Sequence, residues 1–152
     1  MKDPETAQFF FLRANGAYQR INYADLLYCE SLSGGYTRVV TKSETYVHNN
    51  TLMIVQRHLP DKSFCRIHAG FIVGLAYIKS FDRLRLTLLD PPADGSYKAG
   101  FAYRTEFTIG TRYAYSLDEK LVMASSRRGG YRHKLKKLEL ETVMEEMEME
   151  RD

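Results

Sequence analysis

Short segments in which apolar and polar residues alternate run along the first two thirds of the chain. Phe9–Arg13 and Tyr18–Ile21 flank an Asn-Gly dipeptide, which is the strongest short signal for a two-residue β-hairpin turn. Tyr36–Thr41 and Thr45–His48 are rich in β-branched residues, alternate in the same way and flank a polar turn. Each pair predicts two antiparallel strands, so the expected fold class is mainly β.

Further strands are expected where short apolar runs lie between Gly, Pro, Asp and Ser residues. These strands are Leu27–Ser31, Phe64–His68, Phe71–Leu75, Tyr77–Phe81, Leu84–Leu89 and a last long strand at Phe101–Ile109. Asn50–Leu59 predicts one small helix, because apolar residues recur every three or four positions and Pro60 follows. Asn49 or Asn50 is the expected cap of that helix. Asp90–Lys98 contains Pro-Pro and Asp-Gly and predicts a loop.

The longest helical pattern lies near the C-terminus, at His133–Glu150. Its apolar residues Leu140, Val143, Met144 and Met147 share one face. A Ser-Ser-Arg-Arg-Gly-Gly segment before it predicts a linker. We therefore expect a domain at 1–117, a linker at 118–132 and an amphipathic C-terminal α-helix with an acidic tail at 133–152. An isolated helix of this kind is marginal, so it needs its own domain, a second copy in a homodimer or a protein partner.

The charge is distributed unevenly between the body and the tail. The 152-residue chain carries a formal charge of +3. Four basic and seven acidic side chains give residues 133–152 a charge of −3, which leaves +6 on residues 1–132. A basic body with an acidic tail is compatible with nucleic-acid binding, although a charge of this size is also common on ordinary soluble proteins.

Residues able to hold a metal or to catalyse a reaction are few and scattered. Cys29 and Cys65 lie in apolar runs and give neither a disulfide framework nor a zinc spacing, so two buried thiols are expected. The four histidines are far apart in the sequence: His48, His58, His68 and His133. The sequence contains no P-loop, dinucleotide-binding glycine pattern or hydrolase elbow. We expect no enzyme activity, no metal and no cofactor.

The sequence also bears on localisation. No apolar run approaches the roughly 18 residues that a membrane span needs. Met1–Gln8 is too polar for a signal peptide. The expectation is a soluble, cytoplasmic protein that has no membrane partner.

Several partial motifs follow one another in an order typical of one bacterial family. The most recognisable run matches at Phe64, Arg66, His68, Phe71, Ile72, Val73 and Ile78. Asp25–Ser31 and Gly35–Val39 match upstream, and Gly110–Tyr113 matches downstream. Together these segments resemble the LytTR-type DNA-binding domain over residues 9–115, here with a C-terminal helical extension.

The resemblance implies a fold and a function. The family has an elongated, mostly β arrangement of short antiparallel sheets with one small helix. It binds double-stranded DNA sequence-specifically by inserting loops into successive major grooves, and its members are transcription regulators that often use paired direct repeats. The resemblance places base-reading positions at Tyr36, Ala69 and Arg112.

The side chains at these positions differ in what they can recognise. Arg112, next to Tyr113, can bond two acceptors on a guanine edge; otherwise it is a surface arginine that pairs with Glu106 or Asp118. Tyr36 can pack on a thymine methyl group, bond a phosphate or lie at the edge of the core. Arg38 is expected to contact phosphate or to face water.

The middle position departs from the family pattern. His68 is expected to be a hydrogen-bonded structural anchor more than a DNA reader. Ala69 offers only a methyl contact and Gly70 only its backbone N–H, where family members often carry Arg, Asn or Ser. Gly74 also replaces the usual Asn.

Two or three of five further basic residues are expected to contact phosphate, which positions DNA without specifying its sequence: Lys79, Arg83, Arg85, Lys98 and Arg104. The alternative function is a non-catalytic protein-interaction module whose DNA-binding surface is degenerate. The salt dependence of DNA binding distinguishes the two functions. RNA binding is less favoured, because the sequence has no ribonucleoprotein strand motif.

Overall fold

The computed structural model describes residues 3–98 and 102–124. The chain divides into a first compact unit, Met1–Leu121, and a second unit, Val122–Asp152, of which three residues are described. The predicted C-terminal helix at 133–152 and residues 125–132 of the predicted linker lie outside the described residues.

Antiparallel strands form three sheets in the described part of the first unit. The strands are β1 Phe9–Ala14, β2 Ala17–Asn22, β3 Leu26–Leu32, β4 Tyr36–Thr41, β5 Thr45–His48, β6 Phe64–His68, β7 Phe71–Gly74, β8 Ile78–Phe81, β9 Arg85–Leu88 and β10 Glu106–Thr108. The sheets are the β1–β2 hairpin, a five-stranded sheet in the order β5-β4-β3-β7-β6 and a three-stranded sheet in the order β10-β9-β8. One short α-helix, α1, spans Leu52–Gln56. The expectation of a mainly β fold made of short antiparallel sheets is confirmed.

The predicted first hairpin closes through the Asn-Gly turn. Asn15 has a φ of 54° and Gly16 a φ of 78°. Two consecutive positive φ values are the geometry of a type I′ turn, which matches the twist of the two strands. Leu12 and Ile21 are buried beneath the hairpin, while its outer face is exposed to solvent.

The five-stranded sheet is covered on both faces, because successive strand residues point to opposite sides. Cys29, Val39 and Ile72 belong to a cluster that includes Leu12 and Ile21 of the hairpin, together with Leu52, Val55 and Leu59 of the α1 region. Their neighbours in sequence pack on the other face, in a cluster that includes residues of the three-stranded sheet. The members from the five-stranded sheet are Tyr28, Val40 and Val73, and those from the smaller sheet are Leu86, Leu88 and Phe107.

The predicted buried thiols are confirmed, and both cysteines are free. Burial raises the pKa of the Cys29 thiol to about 12. The pKa of Cys65 is raised by burial, and a hydrogen bond with Ser116 opposes that rise. A helix of the length and apolarity needed to cross a membrane is not found among the described residues.

The last strand is shorter than the predicted Phe101–Ile109. β10 covers Glu106–Thr108, and residues 102–105 lie in no regular element. The partner strand β9 ends just before Asp90-Pro91-Pro92, where proline has no N–H to offer a neighbouring strand. The backbone N–H of Arg104 instead donates to the hydroxyl of Tyr28, at 3.1 Å.

The predicted helix at Asn50–Leu59 is also shorter. α1 begins at Leu52, and its N-cap is Thr51, not Asn49 or Asn50. After Gln56 the chain continues in turns, in which the N–H groups of residues 57, 58 and 59 donate to carbonyls three residues earlier. Leu52, Val55 and Leu59 are buried, so the apolar periodicity identified the inward face although the helix is short.

Candidate nucleic-acid interface

Three turns that carry the predicted base-reading positions lie at one end of the five-stranded sheet. The β3–β4 turn contains Gly34 and Gly35, and the β6–β7 turn contains Ala69 and Gly70. Ser31 N–H, near the end of β3, donates to the Gly70 carbonyl at 2.9 Å, which joins these two turns. We call the segments 33–36, 69–70 and 110–113 the loop edge.

The third segment of the loop edge is held against β6 by Gly110. Gly110 N–H donates to the Ile67 carbonyl at 2.9 Å. A β-carbon on Gly110 would stand 3.6 Å from the Cα atom of His68, so the segment passes close beside β6. A 3₁₀ helix, Thr111–Tyr113, follows directly and carries Arg112. The structure therefore brings Tyr36, Ala69 and Arg112 to one edge.

Tyr36 stands at the start of β4 and is 41% exposed. Gly34 and Gly35 have φ values of 81° and 83°, a conformation that side chains disfavour, so glycine is needed at both positions. A β-carbon on Gly34 would lie 3.5 Å from the Tyr36 ring. The ring therefore rests beside the turn and keeps much of its surface open to a ligand.

Arg38 forms part of a charge network on the sheet face. Its Nη1 lies 2.8 Å from Glu30 Oε1, and Arg104 Nη2 lies 3.7 Å from Glu30 Oε2. The Arg104 guanidinium also lies 5.0 Å from the centroid of the Phe71 ring. One carboxylate between two arginines leaves a net positive charge, and both arginine side chains remain partly exposed.

His68 has the hydrogen bond expected of a structural anchor. Its Nδ1 accepts from Gly70 N–H at 2.9 Å, which places the imidazole proton on Nε2 when the ring is neutral. The ring centroid lies 5.5 Å from that of Phe71. The imidazole therefore holds the short β6–β7 turn that carries Ala69 and Gly70.

Arg66 is a contributor to this turn that sequence reasoning missed. Its Nη2 donates to the Ala69 carbonyl at 2.6 Å and its Nε to the His68 carbonyl at 3.0 Å. Its Nη1 donates to Gln56 Oε1 at 2.9 Å, which links the turn to α1. The sequence motif contained Arg66, but strand alternation alone could not show that its guanidinium turns back onto the loop.

Arg112 is exposed, and its guanidinium lies 5.8 Å from the Tyr113 ring centroid. Within residues 3–98 and 102–124, no carboxylate forms a salt bridge with it. Asp118, one of the two expected protein partners, instead pairs with Arg83 at 3.1 Å. The described structure therefore leaves the Arg112 guanidinium accessible.

The five candidate phosphate contacts lie in different places. Arg83 also donates to the Ala114 carbonyl at 3.2 Å, so it braces the chain after Arg112. Arg85 is exposed, and it stands opposite Thr108 in the β9–β10 strand pair, close to the loop edge. Lys79 is exposed further along β8.

Lys98 lies at the other end of the sheet. Its N–H donates to the Lys42 carbonyl at 3.3 Å, and Lys42 follows the last residue of β4, whereas Tyr36 is the first. Lys98 therefore lies away from the loop edge.

The turn before Arg85 is held by Asp82. Its Oδ1 accepts from the N–H groups of Leu84 and Arg85, at 2.7 and 2.9 Å. These two bonds lower the pKa of the Asp82 carboxyl, because they favour its charged form. The turn is thereby fixed beside Ile109, whose N–H donates to the Leu84 carbonyl at 2.7 Å.

Comparisons with known proteins identify the family of this chain. The model of the LytTr DNA-binding domain family matches residues 16–122. The sensory transduction protein LytT of Bacillus cereus is 30% identical over 101 residues, which make up 66% of this chain and 37% of that protein. LytT of Bacillus subtilis is 32% identical over 59 residues, or 39% of this chain and 24% of that protein. The chain thus matches little more than a third of the length of the Bacillus cereus relative and about a quarter of that of the Bacillus subtilis relative.

A solved LytTr DNA-binding domain from Bacillus cereus has the same fold. It matches with a TM-score of 0.55 at 21% identity, and the match covers 77% of this chain and 99% of that domain. Since the family model spans well over half of the sequence, this chain belongs to the LytTr DNA-binding domain family.

Proposed function

We propose that this chain binds double-stranded DNA sequence-specifically as a transcription regulator, with the loop edge entering successive major grooves. The observation that carries the proposal is that three separate turns lie together at one end of the five-stranded sheet. Family membership supports DNA as the ligand. The bonds from Ser31 to Gly70 and from Gly110 to Ile67 support a rigid edge that holds its turns in fixed relative positions.

Arg112 is the proposed base reader. Its exposed guanidinium has two parallel donors, which match the O6 and N7 acceptors of guanine in the major groove. Arg83 supports this role indirectly. It pairs with Asp118, so that carboxylate does not compete with a base for the Arg112 guanidinium. Tyr36 is proposed to contact a thymine methyl group or a phosphate at the other end of the loop edge.

The middle turn is proposed to approach DNA through its backbone. Ala69 and Gly70 have almost no side chain, so the β6–β7 turn can come close to a groove wall. Arg66 and His68 hold that turn from behind. The expected contribution of this turn is a methyl contact and backbone positioning, with weak sequence preference of its own.

The test is a fluorescence-anisotropy titration with a randomised duplex pool, followed by sequencing of the bound fraction. The wild-type chain is compared with Arg112→Ala at about 50 and about 200 mM salt, where phosphate contacts make affinity fall steeply. Arg57→Ala is the matched control, because Arg57 is an exposed arginine at the end of α1 and has no assigned role.

We expect wild type to select a motif that Arg112→Ala blurs at one base pair, with a loss of about 1–3 kcal/mol on the selected site. Arg57→Ala should retain the motif. If wild type does not bind DNA at the lower salt, the proposed function is wrong, and the protein-interaction module becomes the better description.

A further inference from the structure

The outer face of the β1–β2 hairpin exposes a ladder of aromatic and arginine side chains. Phe9, Phe11 and Arg13 alternate on β1, and Tyr18 and Arg20 oppose them on β2. Tyr18 is 67% exposed. The family resemblance gave this face no role, since none of the matched motifs lies within it.

The tip of this hairpin lies beside the loop edge. The Arg13 carbonyl and Nδ1 of His48 are 2.8 Å apart, which ties β1 to the last residue of β5. His48 is paired with Thr37, the residue after Tyr36. The tip therefore extends the line of turns past Tyr36, on the side away from Arg112.

The two ends of the hairpin differ in the freedom of their arginines. Arg20, at the open end, lies 3.8 Å from the Phe9 ring centroid, and its Nε donates to Asn22 Oδ1. Arg13, at the tip, lies 5.1 Å from the centroid of the exposed Tyr18 ring. Within residues 3–98 and 102–124, Arg13 has no carboxylate partner.

The tip is also held in place before any ligand arrives. The type I′ turn at Asn15 and Gly16 fixes its backbone, and Gln19 Nε2 donates to the Ala14 carbonyl at 3.0 Å. A guanidinium fits a phosphate through two parallel N–H donors, and a neighbouring tyrosine hydroxyl adds a third donor. Because the backbone of the tip is already fixed, binding costs it little backbone freedom.

We propose that the hairpin tip is a further DNA-contacting element, in which Arg13 and Tyr18 bind a backbone phosphate just outside the segment read by Tyr36. The inference rests on the proposed function, because it takes the loop edge as the DNA-binding surface. The contact positions the chain on the duplex and lengthens its footprint at the Tyr36 end. It carries no base specificity, because phosphates are the same at every step.

The test compares Arg13→Gln with Arg20→Gln on the duplex selected by the wild-type chain. Both variants remove one positive charge from the same exposed hairpin face, so they have the same long-range effect on DNA. Anisotropy titrations from about 50 to about 200 mM salt give the slope of log affinity against log salt. Hydroxyl-radical footprinting of the same complexes reports which sugars are protected.

Arg13→Gln should reduce the salt slope by about 0.9, so that the loss of affinity across this salt range becomes about threefold smaller. It should also lose protection of one or two sugars at the Tyr36 end of the footprint. The selected motif should not change, and Arg20→Gln should behave as wild type.

Two results separate this inference from the proposed function. If wild type binds DNA and Arg112→Ala blurs the motif, but Arg13→Gln and Arg20→Gln give equal slopes and the wild-type footprint, the hairpin contact is wrong and the regulator function stands. If wild type shows no salt-dependent binding, both proposals fail. Unchanged thermal unfolding of Arg13→Gln is the control for folding, and it is expected because its side chain is exposed and the His48 contact uses its carbonyl.

Discussion

At the scale of single residues, Gly74 shows how tightly the backbone of β7 packs against β3. A β-carbon at Gly74 would stand 2.8 Å from the Leu26 carbonyl oxygen and 3.4 Å from that of Leu27. Both are backbone atoms in the middle of the fold, so they cannot turn aside as a flexible side chain could. Gly74 is itself buried at the end of β7.

We predict that Gly74→Ala lowers the free energy of unfolding by about 1–3 kcal/mol, because the added methyl group overpacks this contact. The measurement is a urea titration followed by far-ultraviolet circular dichroism. Gly70→Ala is the matched control, since its β-carbon would meet only the His68 ring, at ordinary distances of 3.5 Å from Nδ1 and 3.9 Å from Cε1. Equal stability of the two variants would show that the β3–β7 contact relaxes easily.

At the scale of elements, β4 and β5 were among the most predictable strands. Tyr36–Thr41 and Thr45–His48 have the predicted bounds, because side-chain alternation and β-branched residues agree there. Residues 102–105 have strand-like composition, yet their neighbour β9 ends at Leu88, whose N–H donates to the Thr105 carbonyl at 2.7 Å. Strand propensity predicts an extended chain, and pairing depends on a neighbour that the local sequence does not encode.

The β6–β7 turn illustrates a second limit of local reasoning. The sequence identified Ala69 and Gly70 as departures, and it could not reveal that Arg66 reaches over the turn. That arrangement depends on a register shift between Arg66 and His68 and on Gln56 of α1, ten residues away in the chain. An alternating pattern assigns a side chain to a face of the sheet, not to a particular hydrogen-bond acceptor.

We predict that Arg66→Lys loosens this turn while leaving the sheet folded. A lysine ammonium is a point charge and cannot reproduce three donors in a fixed fork, so about two hydrogen bonds are lost at roughly 1 kcal/mol each. Hydrogen exchange should become faster at two amides of this region. The Ser31 amide donates to the Gly70 carbonyl, and the Gly70 amide donates to Nδ1 of His68.

The amide of Val73, in the middle of the same sheet, is the internal reference for this experiment. Arg57→Lys is the control for the substitution itself, because Arg57 is exposed beyond α1. Exchange at Ser31 and Gly70 that stays at the wild-type rate would mean that His68 alone holds the turn.

At the scale of the first compact unit, one sheet supports both clusters of the core. Ile72 and Val73 are neighbours in β7, yet Ile72 packs in the cluster with the hairpin and α1, and Val73 packs in the cluster with the three-stranded sheet. The loop edge is assembled from turns of the central sheet and from the segment after β10. Alternation could predict that both faces are apolar, but not which distant segments cover them. The Arg104 N–H, for example, donates to the Tyr28 hydroxyl across 76 residues of sequence.

Because both clusters share the central sheet, we predict that they unfold together. Ile72→Ala and Leu88→Ala remove buried side chains from opposite faces, and each should lower the free energy of unfolding by about 2–5 kcal/mol. Leu84→Ala, at a position that is 65% exposed, is the control and should change stability little. The chain has no Trp and 11 Tyr, so tyrosine fluorescence and far-ultraviolet circular dichroism are the two probes.

Coincident transitions by both probes in both variants would show cooperative unfolding. The turns of the loop edge would then be lost only when the core unfolds, and under the proposed function either core variant would keep wild-type DNA affinity at temperatures where it remains folded. An early transition confined to one variant would instead mean that one covering layer detaches alone. In that case a hairpin that separates first would move Arg13 and Tyr18 away from their place beside the loop edge while leaving Arg112 in place.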